Sequence, residues 1–176
     1  MADRGGVMSM DEDTRQHIVS AAQWLINPEE KTGLLLCGLC GNGKTTLATS
    51  IARLIAYVTE KEFGYSQRKT MPLYTGKDIC ELKANTKAYD DYKKVLSEEM
   101  IIIDDMGHEP SEVQSFGMTH TPVVDVIEHR YRKNLMTIIT TNLLPDELSE
   151  KYQIRVYDRL KEMMKVIPFR NESYRD

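Results

Sequence analysis

Short apolar runs alternate with longer amphipathic stretches along the chain of 176 residues. Runs such as Gly-Leu-Leu-Leu-Cys at 33–37 are rich in leucine, isoleucine or β-branched residues and are bounded by glycine, proline or acidic residues. That pattern is typical of strands buried on both faces of a sheet. The predicted strands are 33–37, 72–74, 100–103, 137–141 and 166–169.

Between these strands, apolar residues recur at three- and four-residue spacing, which is the period of a helix with one buried face. The first helix is expected to begin at Asp13 or Thr14 and to end before the Asn27-Pro28 pair. The helix that begins at Lys44 is expected to bury Leu47, Ile51, Leu54, Ile55 and Val58. The other predicted helices are 77–83, 88–97, 122–133, 145–150 and 155–164.

This alternation of strands and helices predicts an α/β fold, because parallel strands need crossover connections and the crossing helices cover both faces of the sheet. We expect a three-layer domain with a mostly parallel sheet built from the five predicted strands. The domain is expected to span 13–176, after a flexible N-terminal segment at 1–12.

Composition changes this picture little. The formal charge of −4 gives no global basic field that would indicate nucleic-acid binding. The sequence has no signal-peptide core and no apolar stretch long enough to span a bilayer, so we expect a cytoplasmic protein without a membrane partner. Cys37 and Cys40 have CxxC spacing, but we interpret them as reduced thiols because another motif accounts for them.

That motif is a phosphate-binding loop, Gly-Leu-Cys-Gly-Asn-Gly-Lys-Thr at 38–45, which fits G-x-x-x-x-G-K-[ST] at every position. Its glycines let the backbone wrap around a phosphate, Lys44 reaches the β- and γ-phosphates, and the Thr45 hydroxyl is a Mg²⁺ ligand. The apolar strand before it and the amphipathic helix after it provide the context the motif needs. We therefore predict ATP and Mg²⁺ as cofactors, with nucleotide contacts from Gly38, Gly41, Asn42, Gly43, Lys44, Thr45 and Thr46.

Polar residues follow two later strands. Asp104 and Asp105 end the run Ile-Ile-Ile-Asp-Asp at 101–105, and Asn142 follows the strand at 137–141. Ligands bind at the carboxyl ends of strands in open α/β sheets. We predict that Asp104 holds Mg²⁺, that Asp105 is the base for the attacking water, and that Asn142 helps to position that water.

Arg155 and Arg159 lie four residues apart on one predicted helix. Taken alone, this spacing favours a solvated face with local ion pairs such as Arg155–Asp158 or Arg159–Glu162. The alternative is an arginine finger that is presented to ATP bound by a neighbouring subunit.

The order of GLCGNGKTT, IIIDDMG, VIEHRYRKNLMTIITTNL and IRVYDRL resembles the DnaC/DnaI-type helicase loaders and the related IstB-like transposition ATPases. The resemblance covers about 14–175 and implies an AAA+ fold, a P-loop NTPase core with little or no lid. It implies Lys44 and Thr45 as the Walker A pair, Asp104 and Asp105 as Walker B, and Asn142 as sensor 1. It further implies Arg159 as the arginine finger, with Arg155 as a second candidate, in a homo-oligomer.

The resemblance implies an ATPase that is weak unless assembled. Helicase loaders engage a replicative helicase and single-stranded DNA, which is the leading hypothesis, whereas IstB-like relatives act with a transposase on duplex DNA. An ATP-controlled binding switch and a P-loop small-molecule kinase are further alternatives. The chain also departs from the family pattern. Only about thirty residues precede the ATPase core, which predicts a fragment or a short form, and the sensor-2 candidates are limited to Arg170 and Arg175.

Candidate DNA contacts lie on two predicted helical segments. One is the cationic group His129, Arg130, Arg132 and Lys133, and the other is the stretch 83–94 with Tyr89 and Tyr92. Cations and stacking rings suit single-stranded nucleic acid. Both segments are nevertheless more typical of solvated helix faces.

Overall fold

The parallel sheet predicted from the sequence is present. A computed structural model describes residues 11–27, 31–115 and 117–170, and within these ranges the main sheet has five strands in the order β2-β3-β6-β1-β7. Every neighbouring pair in this sheet is parallel. Its strands are β1 Gly33–Gly38, β2 Leu73–Thr75, β3 Met100–Met106, β6 Met136–Thr141 and β7 Met164–Phe169.

Helices cover both faces of the sheet, as predicted. The helices are α1 Glu12–Ile26, α2 Lys44–Phe63, α3 Gly76–Ala84, α4 Tyr89–Ser97, α5 Pro122–Lys133 and α6 Pro145–Met163. Alternation along β1 assigns the faces, because Leu34 and Leu36 join one apolar cluster and Leu35 joins the other. Residues of α1 and α2 share the cluster with Leu34, and residues of α3 to α6 share the cluster with Leu35.

Two helix predictions were wrong in detail. The N-cap of α1 is Asp11, whose Oδ1 accepts a hydrogen bond of 2.7 Å from Thr14 N, so the helix begins before Asp13. Leu54 and Val58 of α2 are 50% and 44% exposed rather than buried. Ala56, which lies between them along α2, is only 7% exposed, so the buried face of the helix passes to one side of Leu54 and Val58.

The segment between β3 and α5 contains a hairpin that the sequence pattern did not indicate. Strands β4 Val113–Ser115 and β5 Met118–His120 pair antiparallel, and neither has a long apolar run. The two helices predicted at 145–150 and 155–164 lie within α6 on either side of a kink at Gln153, whose φ of 67° and ψ of 150° are not helical. None of the helices in the described ranges is long and apolar enough to cross a membrane.

Arg130 is a structural residue rather than a DNA contact, and its prediction as a surface cation was wrong. Its side chain is fully buried, at 0% exposure. Its Nε donates to Thr137 Oγ1 at 2.8 Å, and its Nη atoms donate to the carbonyl oxygens of Val95, Glu98 and Met136 at 2.8–3.2 Å. The guanidinium group thereby ties α5 to the end of α4 and to the start of β6.

Candidate nucleotide-binding site

The phosphate-binding loop connects β1 to α2 at the carboxyl edge of the sheet. Gly38 has φ 143°, and a Cβ there would lie 2.1 Å from the carbonyl oxygen of Phe169 in β7. Gly43 has φ 95° and caps α2 in the left-handed conformation. Side chains are disfavoured at both positions, so these two glycines are required by the path of the backbone. The loop leads directly into the N-terminus of α2, which favours anions.

Lys44 is held over this loop by three oxygen atoms. Its Nζ donates to the carbonyl oxygens of Gly38 at 2.7 Å and Leu39 at 2.6 Å, and to Asn42 Oδ1 at 3.1 Å. Burial lowers the pKa of Lys44, and the nearby negative groups, Asp104 and Asp105 among them, oppose that shift. The three hydrogen bonds hold the ammonium group against the backbone of the loop.

Asn42, predicted as a nucleotide contact, has its side chain turned into the protein. It is 1% exposed, and its Nδ2 donates to the carbonyl oxygen of Phe169 at 3.3 Å. With its Oδ1 bonded to Lys44, the side chain braces the loop against β7. Only the backbone of Asn42 therefore remains available for the predicted nucleotide contact. Thr45 and Thr46, by contrast, are exposed in the first turn of α2.

The acidic end of β3 lies against this first turn. Asp104 is 7% exposed, and its Oδ1 accepts hydrogen bonds from Thr45 Oγ1 at 2.9 Å and Thr140 Oγ1 at 2.6 Å. Thr45 and Asp104, the two predicted Mg²⁺ ligands, are thus brought together from positions 59 residues apart in sequence. Thr140 was not predicted as a site residue.

Asp105 is exposed and has a φ of 50°, in the left-handed region that non-glycine residues rarely adopt. It lies where the register of β3 against β6 shifts, between the pairs Ile103–Ile139 and Met106–Thr141. Its backbone N–H donates to Thr140 Oγ1 at 3.0 Å. The change of direction leaves the second carboxylate accessible at the edge of the sheet.

Asn142 emerges between the loop and the acidic pair. The preceding residue, Thr141, is in register with Cys37 of β1 on one side and Met106 of β3 on the other. Asn142 is half-buried, and its side chain makes no hydrogen bond with any residue in the described ranges. The side chain can therefore orient toward a ligand at this edge. The role of Asn142 as sensor 1 stays a prediction.

The two arginines of α6 differ in their surroundings. The Arg159 side chain is 16% exposed and forms an ion pair with Glu128 of α5 through Nη1, and its guanidinium lies 5.5 Å from the ring centroid of Tyr131. The Arg155 side chain is 73% exposed and lies 3.9 Å from the same Glu128 carboxylate. Neither pairs within α6 as the local pattern suggested, because the partner comes from the neighbouring helix. Of the sensor-2 candidates, Arg170 is exposed after β7, and Arg175 lies outside the described residues.

A second residue that the sequence did not single out, Glu109, anchors the loop after β3. It is 4% exposed, its Oε2 accepts from Gly107 N at 2.8 Å, and its Oε1 accepts from the Tyr152 hydroxyl. Burial and the Glu109 charge raise the pKa of Tyr152. The acidic end of β3 is thus connected to α6 next to its bend at Gln153. Only a long-range contact reveals this role, since Glu109 lies in an ordinary polar turn.

A phosphate-binding loop with its lysine, an acidic strand end beside it, and this strand order define a P-loop nucleotide-binding domain of the AAA+ type. The sequence profile of the family described as IstB-like ATP binding protein matches residues 8–176, and the chain belongs to this family. The resemblance inferred from the motifs is therefore confirmed.

Solved structures agree with this assignment at the level of the fold. The chain is similar to the DnaC helicase loader, with a TM-score of 0.71 and 23% identity over 93% of this chain and 94% of that chain. The DnaI structure gives a TM-score of 0.67 and 19% identity over 95% and 90%. AMPPCP-bound DnaA from Aquifex aeolicus gives 0.62 and 14%, over 92% of this chain and 48% of that chain. A comparison with curated proteins finds no match.

Proposed function

We propose that this AAA+ domain hydrolyses ATP to ADP and phosphate and uses the cycle to load a replicative helicase onto single-stranded DNA. The hydrogen bond of 2.9 Å between Thr45 Oγ1 and Asp104 Oδ1 is the observation that carries the hydrolytic part of the proposal. It joins the phosphate-binding loop to the acidic strand end, and both must act on the same phosphate group. The similarity to DnaC over nearly the full length of both chains supports the loader hypothesis.

Each residue has a distinct task in this proposal. The Lys44 ammonium contacts the β- and γ-phosphates and stabilises the charge that develops on them. The exposed Asp105 carboxylate accepts the proton of the attacking water. The Asn142 amide orients that water, because it emerges between Lys44 and the acidic pair.

The residues present also fit Mg²⁺. The Thr45 hydroxyl and the Asp104 carboxylate are hard oxygen donors within hydrogen-bond distance of each other, and Mg²⁺ is commonly bound by a few such groups together with nucleotide phosphates. In the described part of the chain no group of three or more His, Cys, Asp or Glu side chains could hold a metal alone. When bound, Mg²⁺ neutralises charge on the phosphates.

A homo-oligomer would complete the site with an arginine from a neighbouring copy. Arg159 is the first candidate, and it would have to exchange Glu128, its partner within the chain, for the phosphate of the neighbour. Arg155 is the second candidate, since its side chain is largely exposed. The isolated chain, which has no neighbour to supply this arginine, would therefore be a weak ATPase.

A second candidate function is that of a transposition ATPase acting with a transposase on duplex DNA. The observation that favours it is the family match, which is to IstB-like ATP binding proteins and covers almost all of the chain. The family match lends no support to a small-molecule kinase. An ATP-controlled switch uses the same loop, and it differs from both ATPase proposals in having little turnover.

ATP turnover should be measured across a range of protein concentrations without DNA, with single-stranded DNA and with duplex DNA. We expect specific activity to rise with protein concentration and with single-stranded DNA. Stimulation by duplex DNA alone would favour the transposition ATPase, and tight ATP binding without turnover would overturn the hydrolysis proposal. Lys44→Ala, which removes the phosphate-binding ammonium, is the control for contaminating ATPases.

A further inference from the structure

Strand β3 carries one extra residue opposite β6 at its acidic end. Between Ile103 and Met106 it has two residues, Asp104 and Asp105, whereas between their partners Ile139 and Thr141 strand β6 has only Thr140. This is the arrangement of a β-bulge, which re-aims side chains and removes ladder hydrogen bonds locally.

The Thr140 side chain makes hydrogen bonds in place of the ladder hydrogen bonds that the bulge removes. Its hydroxyl accepts the Asp105 backbone N–H at 3.0 Å and donates to Asp104 Oδ1 at 2.6 Å. A hydroxyl has one proton to donate, and here that proton goes to a carboxylate. Thr140 is 0% exposed, so water does not compete for either bond.

The geometry points to Thr140 as a positioning residue that holds both carboxylates of the acidic pair, an inference that rests on the proposed function. Through its donated bond it fixes the Asp104 oxygen that also meets Thr45 Oγ1. Through its accepted bond it fixes the left-handed backbone of Asp105. One hydroxyl thus sets the metal-binding carboxylate and the base relative to each other without contacting the nucleotide.

The chain offers a matched control on the same strand. Thr137, at the opposite end of β6, is 1% exposed, and its hydroxyl also makes one accepted and one donated bond, with Arg130 Nε at 2.8 Å and the Leu135 carbonyl oxygen at 3.0 Å. Val is nearly isosteric with Thr and lacks the hydroxyl. Thr140→Val and Thr137→Val therefore remove the same number of buried hydrogen bonds, and only the first removes them from the acidic pair.

The test compares steady-state ATP turnover of both variants with that of Thr140→Ser, which keeps a hydroxyl. We expect Thr140→Val to lower kcat by about 10- to 100-fold, the usual effect of removing a group that orients a metal-binding side chain. KM for ATP at saturating Mg²⁺ should change little, and the Mg²⁺ concentration needed for half-maximal rate should rise. Thr137→Val and Thr140→Ser should keep most of kcat. Equal losses of kcat in the two valine variants would overturn the inference.

A binding measurement separates this inference from the proposed hydrolysis. The affinity of a fluorescent ATP analogue is measured with limiting Mg²⁺ and with EDTA, and the ratio of the two affinities is compared between the valine variants. If the wild-type chain does not hydrolyse ATP, the hydrolysis proposal fails, but a smaller ratio in Thr140→Val than in Thr137→Val still supports the positioning role. Equal ratios would overturn it. Should Thr140→Val not fold, Thr140→Ala and Thr137→Ala carry the same comparison.

Discussion

A buried threonine lies near each end of β6, and the two threonines bond to different kinds of charged group. At the amino end Thr137 accepts a hydrogen bond from Arg130, a buried cation whose hydrogen bonds to the described residues all go to uncharged oxygens. At the carboxyl end Thr140 donates a hydrogen bond to Asp104, which also accepts one from the Thr45 hydroxyl at the start of α2. The charge at the first end is enclosed, and each of its three nitrogen atoms donates at least one hydrogen bond, whereas the second end opens to solvent through the exposed Asp105. The first arrangement stabilises the fold, and the second leaves charged groups available to a ligand.

The largest expected effect is the loss of ATP turnover on substitution of Asp105, at the solvent-exposed end. Asp105→Asn should lower ATP turnover by about 10²- to 10⁴-fold, the usual contribution of a general base. Because Asp105 is exposed, the free energy of unfolding should change by no more than about 0.5 kcal/mol. ATP binding and turnover are measured together with urea denaturation, and Asp105→Glu, which keeps a carboxylate, is the control. Unchanged turnover in Asp105→Asn would remove Asp105 from the mechanism.

The enclosed end should respond in the opposite way. Arg130→Met leaves the four oxygen atoms that Arg130 contacts without a donor, so we expect the free energy of unfolding to fall by about 4 kcal/mol. Turnover per folded molecule should stay near that of the wild type, because Arg130 does not reach the nucleotide site. Urea denaturation and an activity assay normalised to the folded fraction test both parts. A loss of turnover per folded molecule in Arg130→Met would contradict a purely structural role for Arg130.

The smallest expected effect is the pH dependence of Lys44. Because burial lowers its pKa in the folded state, the folded chain binds this proton more weakly than the unfolded chain does. The resulting destabilisation is present below the folded pKa and is relieved as the pH rises through it toward the unfolded value. The stability of Lys44→Met relative to the wild type should therefore be highest near neutral pH and should fall as the pH approaches 10.5, the unshifted value. Thermal melts of both proteins at several pH values check this, and parallel profiles would contradict it.

The sequence predicted the central parts of this molecule because their signals are local. The strand run at 100–103, the phosphate-binding loop and the helix at 122–133 each combine an apolar period with a start or stop residue, and the structure contains all three. The hairpin strands β4 and β5 were missed because each has only one apolar residue in three, which leaves no apolar run to detect. Leu54 and Val58 were misassigned because periodicity does not indicate how wide a stripe of the helix surface the sheet covers, and Ala56 between them is buried.

The missed site residues share a different cause. Thr140 reads as an ordinary β-branched strand residue, and its importance arises from the bulge 35 residues earlier in the chain. The bulge itself leaves no mark in the run Ile-Ile-Ile-Asp-Asp. For the same reason, the pairing of Arg159 with Glu128 could not be derived from the helix that carries Arg159. Roles that depend on which strands and helices become neighbours require the fold.

The central claim, a site completed by a second copy, is tested most directly by mixing two inactive variants. Asp105→Asn lacks the proposed base but keeps Arg159, whereas Arg159→Ala lacks the proposed arginine finger but keeps Asp105. Glu128→Gln is the control, since it breaks the internal ion pair of Arg159 without removing the arginine and should keep its turnover. If subunits share sites, the mixture should hydrolyse ATP faster than the average of the two variants measured alone. A mixture that matches that average would contradict the account.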